Sequence, residues 1–90
     1  MIEIEEGGET WEIRTRIADF KIGDTVRSVK DCISDNDDIT KGMLGTVVHL
    51  MSGTVGVQWE MDVGGHACSN NCPDGYGWYV FPEEVEVLVE

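Results

Sequence analysis

Beyond Lys41 this chain has no lysine and no arginine, while seven acids follow that point. That absence argues against direct nucleic-acid binding, because holding a phosphate backbone takes cations that displace its counterions. The six bases are Arg14, Arg16, Lys21, Arg27, Lys30 and Lys41, set against 18 acids for a formal net charge of −12. No apolar run reaches the ~18 residues that a membrane-spanning helix needs. The opening MIEIEEGGE lacks a basic n-region and an apolar h-region, so no signal peptide is expected and the expected location is cytoplasmic. Three cysteines are too few, and odd in number, for a secreted disulfide framework. Catalytic signatures are missing too: there is no G-x-S-x-G, no P-loop and no Cys-His-Asn spacing, so no enzymatic activity is expected.

What is present is alternation. Ninety residues with 11 glycines and 2 prolines suit one domain of short strands and turns. Gly42 to Glu60 is the centre of the pattern. Thr46 to Met51 and Thr54 to Glu60 read as two strands, and Ser52-Gly53 supplies the turn, glycine giving the positive φ it needs. Val55, Val57 and Trp59 alternate with Gly56, Gln58 and Glu60, which places one face in a core and one in water.

Upstream, Ile2 and Ile4 alternate with Glu3 and Glu5. After Gly7-Gly8, Trp11, Ile13, Thr15 and Ile17 alternate with Glu12, Arg14 and Arg16. This predicts an N-terminal hairpin over residues 1–19, with the second set of apolar residues inward. Phe20 to Lys30 opens the main body, with a bulge expected near Ser28 because Val26 and Val29 break period two. Asp31 to Lys41 is a polar loop pinned by Cys32, Ile33 and Ile39. Its Asp35, Asn36, Asp37 and Asp38 lack EF-hand spacing, so a solvated acidic loop is expected rather than a calcium site. Met61 to Gly77 is a long loop rich in Gly and Asn. Trp78 to Phe81 is a short aromatic strand, Pro82-Glu83-Glu84 one 3-10 turn, and Val85 to Glu90 a closing strand with its valines inward.

Residues 20–90 therefore predict an all-β unit of about five strands with a one-turn break before the last, the organisation of an SH3-like barrel. The runs FKIGDTVRSV, ITKGMLGTVVHL, VGVQWE, GGH and GYGWYVFPEEVEVL go further. Together they resemble a group of small SH3-like barrel proteins of phages and bacteria, over about residues 20 to 89. The resemblance implies a fold and carries no activity. Tyr76 stands where the group's pattern often has His, so it implies no shared histidine chemistry.

Three sets of residues are candidates for function. His66, Cys68 and Cys72 combine imidazole and thiol, which suits Zn²⁺ if a fourth ligand joins from Cys32, His49 or Asp74. A Cys68–Cys72 disulfide and plain reduced thiols are the alternatives, and a zinc-stabilised accessory module is one functional reading. Trp11, Trp59, Trp78, Tyr76 and Tyr79 offer a second, a peptide groove of the SH3 kind, against the simpler expectation that tryptophans fill the core. The leading reading uses Glu3, Glu5, Glu84, Glu86 and Glu90 on exposed strand faces. Carboxylates two residues apart on a strand recur about every 6.6–6.8 Å, near two phosphate steps of one DNA strand. The expectation is a non-enzymatic acidic binding protein, a phage-type inhibitor or DNA mimic that engages a basic, nucleic-acid-binding protein.

Overall fold

Among the described residues, period-two alternation becomes seven strands: β1 (Glu3–Ile4), β2 (Thr10–Ile13), β3 (Thr25–Ser28), β4 (Leu44–Met51), β5 (Thr54–Trp59), β6 (Gly77–Val80) and β7 (Val85–Val89). The structure is a computed structural model and describes residues 3–4, 10–51 and 53–89. Its helical content among those residues is three 3-10 turns, Ile17–Asp19, Ile33–Asp35 and Pro82–Glu84. The chain is all-β, as its pattern predicts.

Every ladder is antiparallel, and the sheet runs β1-β2-β7-β3-β4-β5-β6. Strands β3 to β6 follow one another as a meander, and β7 returns to lie beside β3. The sheet is open, with β1 and β6 at its two edges among the described residues. The N-terminal pair continues the sheet: β2 pairs with β7 along Thr10↔Val89 to Ile13↔Glu86.

The core lies on one face. Val26, Val47, Val55, Val57, Val80 and Val85 are fully buried there, with Trp59 among them at 1% exposure. Burying one valine is worth roughly 1.5–3 kcal/mol, whereas an exposed ion pair gives about 1 kcal/mol or less. The apolar face therefore fixes the register. Two loop residues, Ile33 and Ile39, reach this core as expected. Cys32 does not: it is exposed, and its thiol donates to Asp37 Oδ1 at 2.7 Å.

Two expectations of facing fail, each for a physical reason. The bulge is in β4, between Val47 and His49, and not at Ser28, which continues the inward set with Val26. The extra residue switches parity within β4, so Gly45 and Val47 face in before it and Leu50 packs on the core after it. Trp11 is buried, but on the other face. It pairs with Leu88, Ile13 with Glu86, and Glu86 with Arg27, which places all of them opposite Val87 and Val26. The Arg27 guanidinium covers the Trp11 ring at 4.3 Å. Ile13 is 53% exposed, and Ile17 leaves the strand for a 3-10 turn.

Candidate functional site

The loops at residues 31–41 and 61–77 meet. Asn36 is buried and joins them: its Nδ2 donates to the Val63 carbonyl at 3.0 Å, and its Oδ1 accepts from the Asp38 N–H at 2.9 Å. A second link comes from β6, where Trp78 Nε1 donates to the Ser34 carbonyl at 3.1 Å. Ser34 in turn donates to Glu84 through its N–H at 2.9 Å and its hydroxyl at 2.5 Å. Glu84 Oε1 also accepts the Phe81 N–H at 2.8 Å. Partial burial pushes the Glu84 carboxyl upward. The Ser34 hydroxyl and the two backbone N–H groups outweigh that and hold it below its ordinary value.

Both loops carry exposed carboxylates. Asp35, Asp37 and Asp38 are exposed on the first loop, and Asp62 and Asp74 are exposed on the second. Asp62 Oδ1 accepts the Gly64 N–H at 2.7 Å, and its carboxylate packs against Gly75, where a Cβ would approach it to 2.8 Å. An added Cβ at Gly64 would lie 3.5 Å from the Asp38 carboxylate, so acids of the two loops approach the same glycine. The arginines are engaged elsewhere. Arg14 pairs with Glu12 at 2.8 Å and lies 3.9 Å from Asp24, Arg16 pairs with Asp19 at 3.3 Å, and Arg27 pairs with Glu86 at 3.0 Å.

The carboxylates expected on strand faces are placed differently. Glu84 lies in the last 3-10 turn, bound to Ser34 and Phe81. Glu86 lies on β7 but is half-buried and paired with Arg27. The backbone of Glu3 pairs with Trp11 in β1. Its side chain, together with Glu5 and Glu90, lies outside the described residues. Sequence alternation marked Glu84 and Glu86 as outward but could not show that each has an internal partner.

His66, Cys68 and Cys72 come near one another without forming a metal centre. His66 Nδ1 accepts the Cys68 N–H at 3.1 Å, and its ring stacks on Trp78 with centroids 5.4 Å apart. Burial pushes the Cys68 thiol up to about 12, and burial likewise raises Cys72. Among the described residues no group of three or more His, Cys, Asp or Glu is arranged to hold a metal ion. Both cysteines are free thiols in this structure.

The aromatic set is dispersed. Trp59 is in the core, Trp11 is under Arg27 on the opposite face, and Trp78 and Tyr79 alternate across β6. They form no common groove. One polar chain was missed by the sequence reading: His49 Nδ1 lies 2.7 Å from the Tyr79 hydroxyl, which lies 3.1 Å from Ser69 Oγ. Its signal was Gly56, which pairs with His49 on one side and Tyr79 on the other. A Cβ there would come within 2.8 Å of the Tyr79 ring, so only glycine lets the two side chains meet over it.

No family profile, curated protein or solved structure matches this chain. No helix among the described residues is long and apolar enough to cross a membrane.

Proposed function

We propose that this chain is a non-enzymatic binding module whose anionic loop end engages a basic protein surface. The observation that carries this reading is the Asn36–Val63 joint, which brings the acids of two loops to one end of the sheet. Arg14, Arg16 and Arg27 form their ion pairs with Glu12, Asp19, Asp24 and Glu86. Asp35, Asp37, Asp38, Asp62 and Asp74 outnumber Lys30 and Lys41 on these loops and their flanks, and a net negative field steers oppositely charged partners and raises their association rate.

The scaffold reads as an SH3-like barrel left open at one seam. The order β7-β3-β4-β5-β6 and the 3-10 turn just before β7 support that reading. The partner class that fits is a nucleic-acid-binding protein, whose phosphate-binding surface is basic. The chain would then compete with nucleic acid, in the manner of a phage-type inhibitor. The mimicry moves from the strands to the loops, since Glu84 and Glu86 are engaged within the chain.

The test is affinity capture from a bacterial lysate at low salt, with the parent chain and an Asp37→Asn/Asp38→Asn/Asp62→Asn variant side by side. Basic nucleic-acid-binding proteins should be retained by the parent, be displaced by duplex DNA, and be lost with the variant. Equal retention by both proteins would reject the loop end as the binding surface.

A further inference from the structure

We propose that Cys68 and Cys72 form a reversible dithiol–disulfide site, oxidised by exchange with a small-molecule disulfide. The site is built by the backbone. Cys68, Ser69 and Asn70 have φ of 46°, 58° and 66°, three successive non-glycine residues in the left-handed region. Such residues are disfavoured and persist only where their surroundings over-determine them. Here the N–H groups of Asn71 and Cys72 both donate to the Ala67 carbonyl, at 2.8 and 3.1 Å, and Asn71 Nδ2 donates to the Cys68 carbonyl at 2.7 Å. The left-handed turn brings residue 72 back over residue 68.

Gly77 sets the separation of the thiols. A Cβ on it would lie 2.7 Å from Cys68 Sγ and 2.8 Å from Cys72 Sγ. The two sulfurs are therefore no more than 5.5 Å apart, with no side chain between them. A zinc site does not explain the pair. The His66 ring nitrogen nearest the turn is taken by the Cys68 N–H, and Cys32 donates to Asp37. What remains is two free thiols facing each other across a glycine, on a turn held in a disfavoured conformation.

The chemistry divides between them by exposure. Cys68 is buried and Cys72 half-buried. Cys72 therefore reacts first. Its thiolate attacks one sulfur of a disulfide RSSR, forms Cys72–S–S–R and releases RS⁻. Cys68 then loses its proton to solvent and attacks the Cys72 sulfur. The Cys68–Cys72 bond forms and the second RS⁻ leaves. The two protons end on the two RS⁻ groups, so two protein thiols are oxidised and RSSR is reduced to two RSH. The bridge would close the turn at the start of β6, next to His66 and Tyr79, and excess thiol would reopen it.

A Cys32→Ser chain isolates the pair. It is equilibrated with graded ratios of oxidised and reduced glutathione, quenched in acid, unfolded, labelled with a maleimide and mapped by peptide mass. Cys68 and Cys72 should lose label together, in a monomer carrying a 68–72 link, and regain it when reduced glutathione is in excess. In a chain with both Cys32→Ser and Cys72→Ser, Cys68 should stay free of glutathione while folded. The proposal is overturned if both thiols keep their label at the most oxidising ratio. It is equally overturned if a glutathione adduct accumulates on Cys72 while Cys68 remains free.

Discussion

The Asn36 carboxamide nitrogen lies 3.0 Å from the Val63 carbonyl oxygen, and that bond holds the loop before β4 against the loop before β6. Asn36 is 7% exposed, so neither group can turn to water instead. Asn36→Ala leaves the Val63 carbonyl and the Asp38 N–H without this partner, a loss of about 1–3 kcal/mol for buried groups. Urea unfolding should show a lower midpoint with an unchanged slope. Asn36→Asp should be worse, because a carboxylate cannot donate to the carbonyl and adds an acid beside Asp35, Asp37 and Asp38.

Two glycines separate steric from conformational cost. A Cβ on Gly45 would lie 2.4 Å from Val57 Cγ1 and 3.0 Å from the Gln58 carbonyl, inside the core ladder. Gly45→Ala should therefore destabilise by overpacking, roughly 1–3 kcal/mol or more. Gly53 has open space around it but a φ of +80°. Gly53→Ala should cost about 1 kcal/mol, from the left-handed backbone alone. Thermal melts of the two variants check the order. Equal losses would mean that β4 and β5 can separate to accept a methyl group at Gly45.

The strands were legible where one face is apolar throughout. Val55, Val57 and Trp59 fixed β5, and Val85 and Val87 fixed β7, because period two admits no other placement of those side chains. Parity failed where no apolar residue guards it. Val48 and Leu50 suit either face of β4, and only the bulge decides between them. Trp11 looked like core because tryptophan is large and its neighbours alternate, yet an arginine 16 positions later in the chain covers it from the solvent side. Acidity was visible at once. The internal engagement of Glu84 and Glu86 was not, because Ser34 and Arg27 reach them across sequence separations of 50 and 59 residues.

Glu84 links pH to stability. Burial raises its carboxyl, but the Ser34 hydroxyl and the N–H groups of Phe81 and Ser34 win, so its folded value lies below its ordinary one. A depressed acid stabilises the fold fully above its unfolded value, about 4.3 for a glutamate. That stability is lost as pH falls through the lower folded value. Glu84→Gln should therefore be less stable than the parent at neutral pH, with the difference shrinking below about pH 4.3. Denaturant midpoints across the acid range measure it. A difference that stays constant with pH would mean that the carboxylate's charge contributes nothing beyond its hydrogen bonds.

Among the described residues, Arg27 has at least two separable roles on the outer face of β3, β7 and β2. Its Nε lies 3.0 Å from Glu86 Oε1, with both side chains part-exposed at 20% and 24%, and its guanidinium lies over Trp11 at 4.3 Å. A part-exposed ion pair is worth about 1 kcal/mol or less, so Glu86→Gln should cost little. Arg27→Ala also uncovers the indole, which is 6% exposed beneath it. It removes the cation–π contact too, worth roughly 0.5–2 kcal/mol. Arg27→Met keeps an apolar cover and should fall between the two. The expected order of loss is Arg27→Ala, then Arg27→Met, then Glu86→Gln, with tryptophan emission shifting to longer wavelength in the alanine variant. If Arg27→Ala and Glu86→Gln cost the same, the ion pair is the whole contribution and the arginine is not what keeps Trp11 from water.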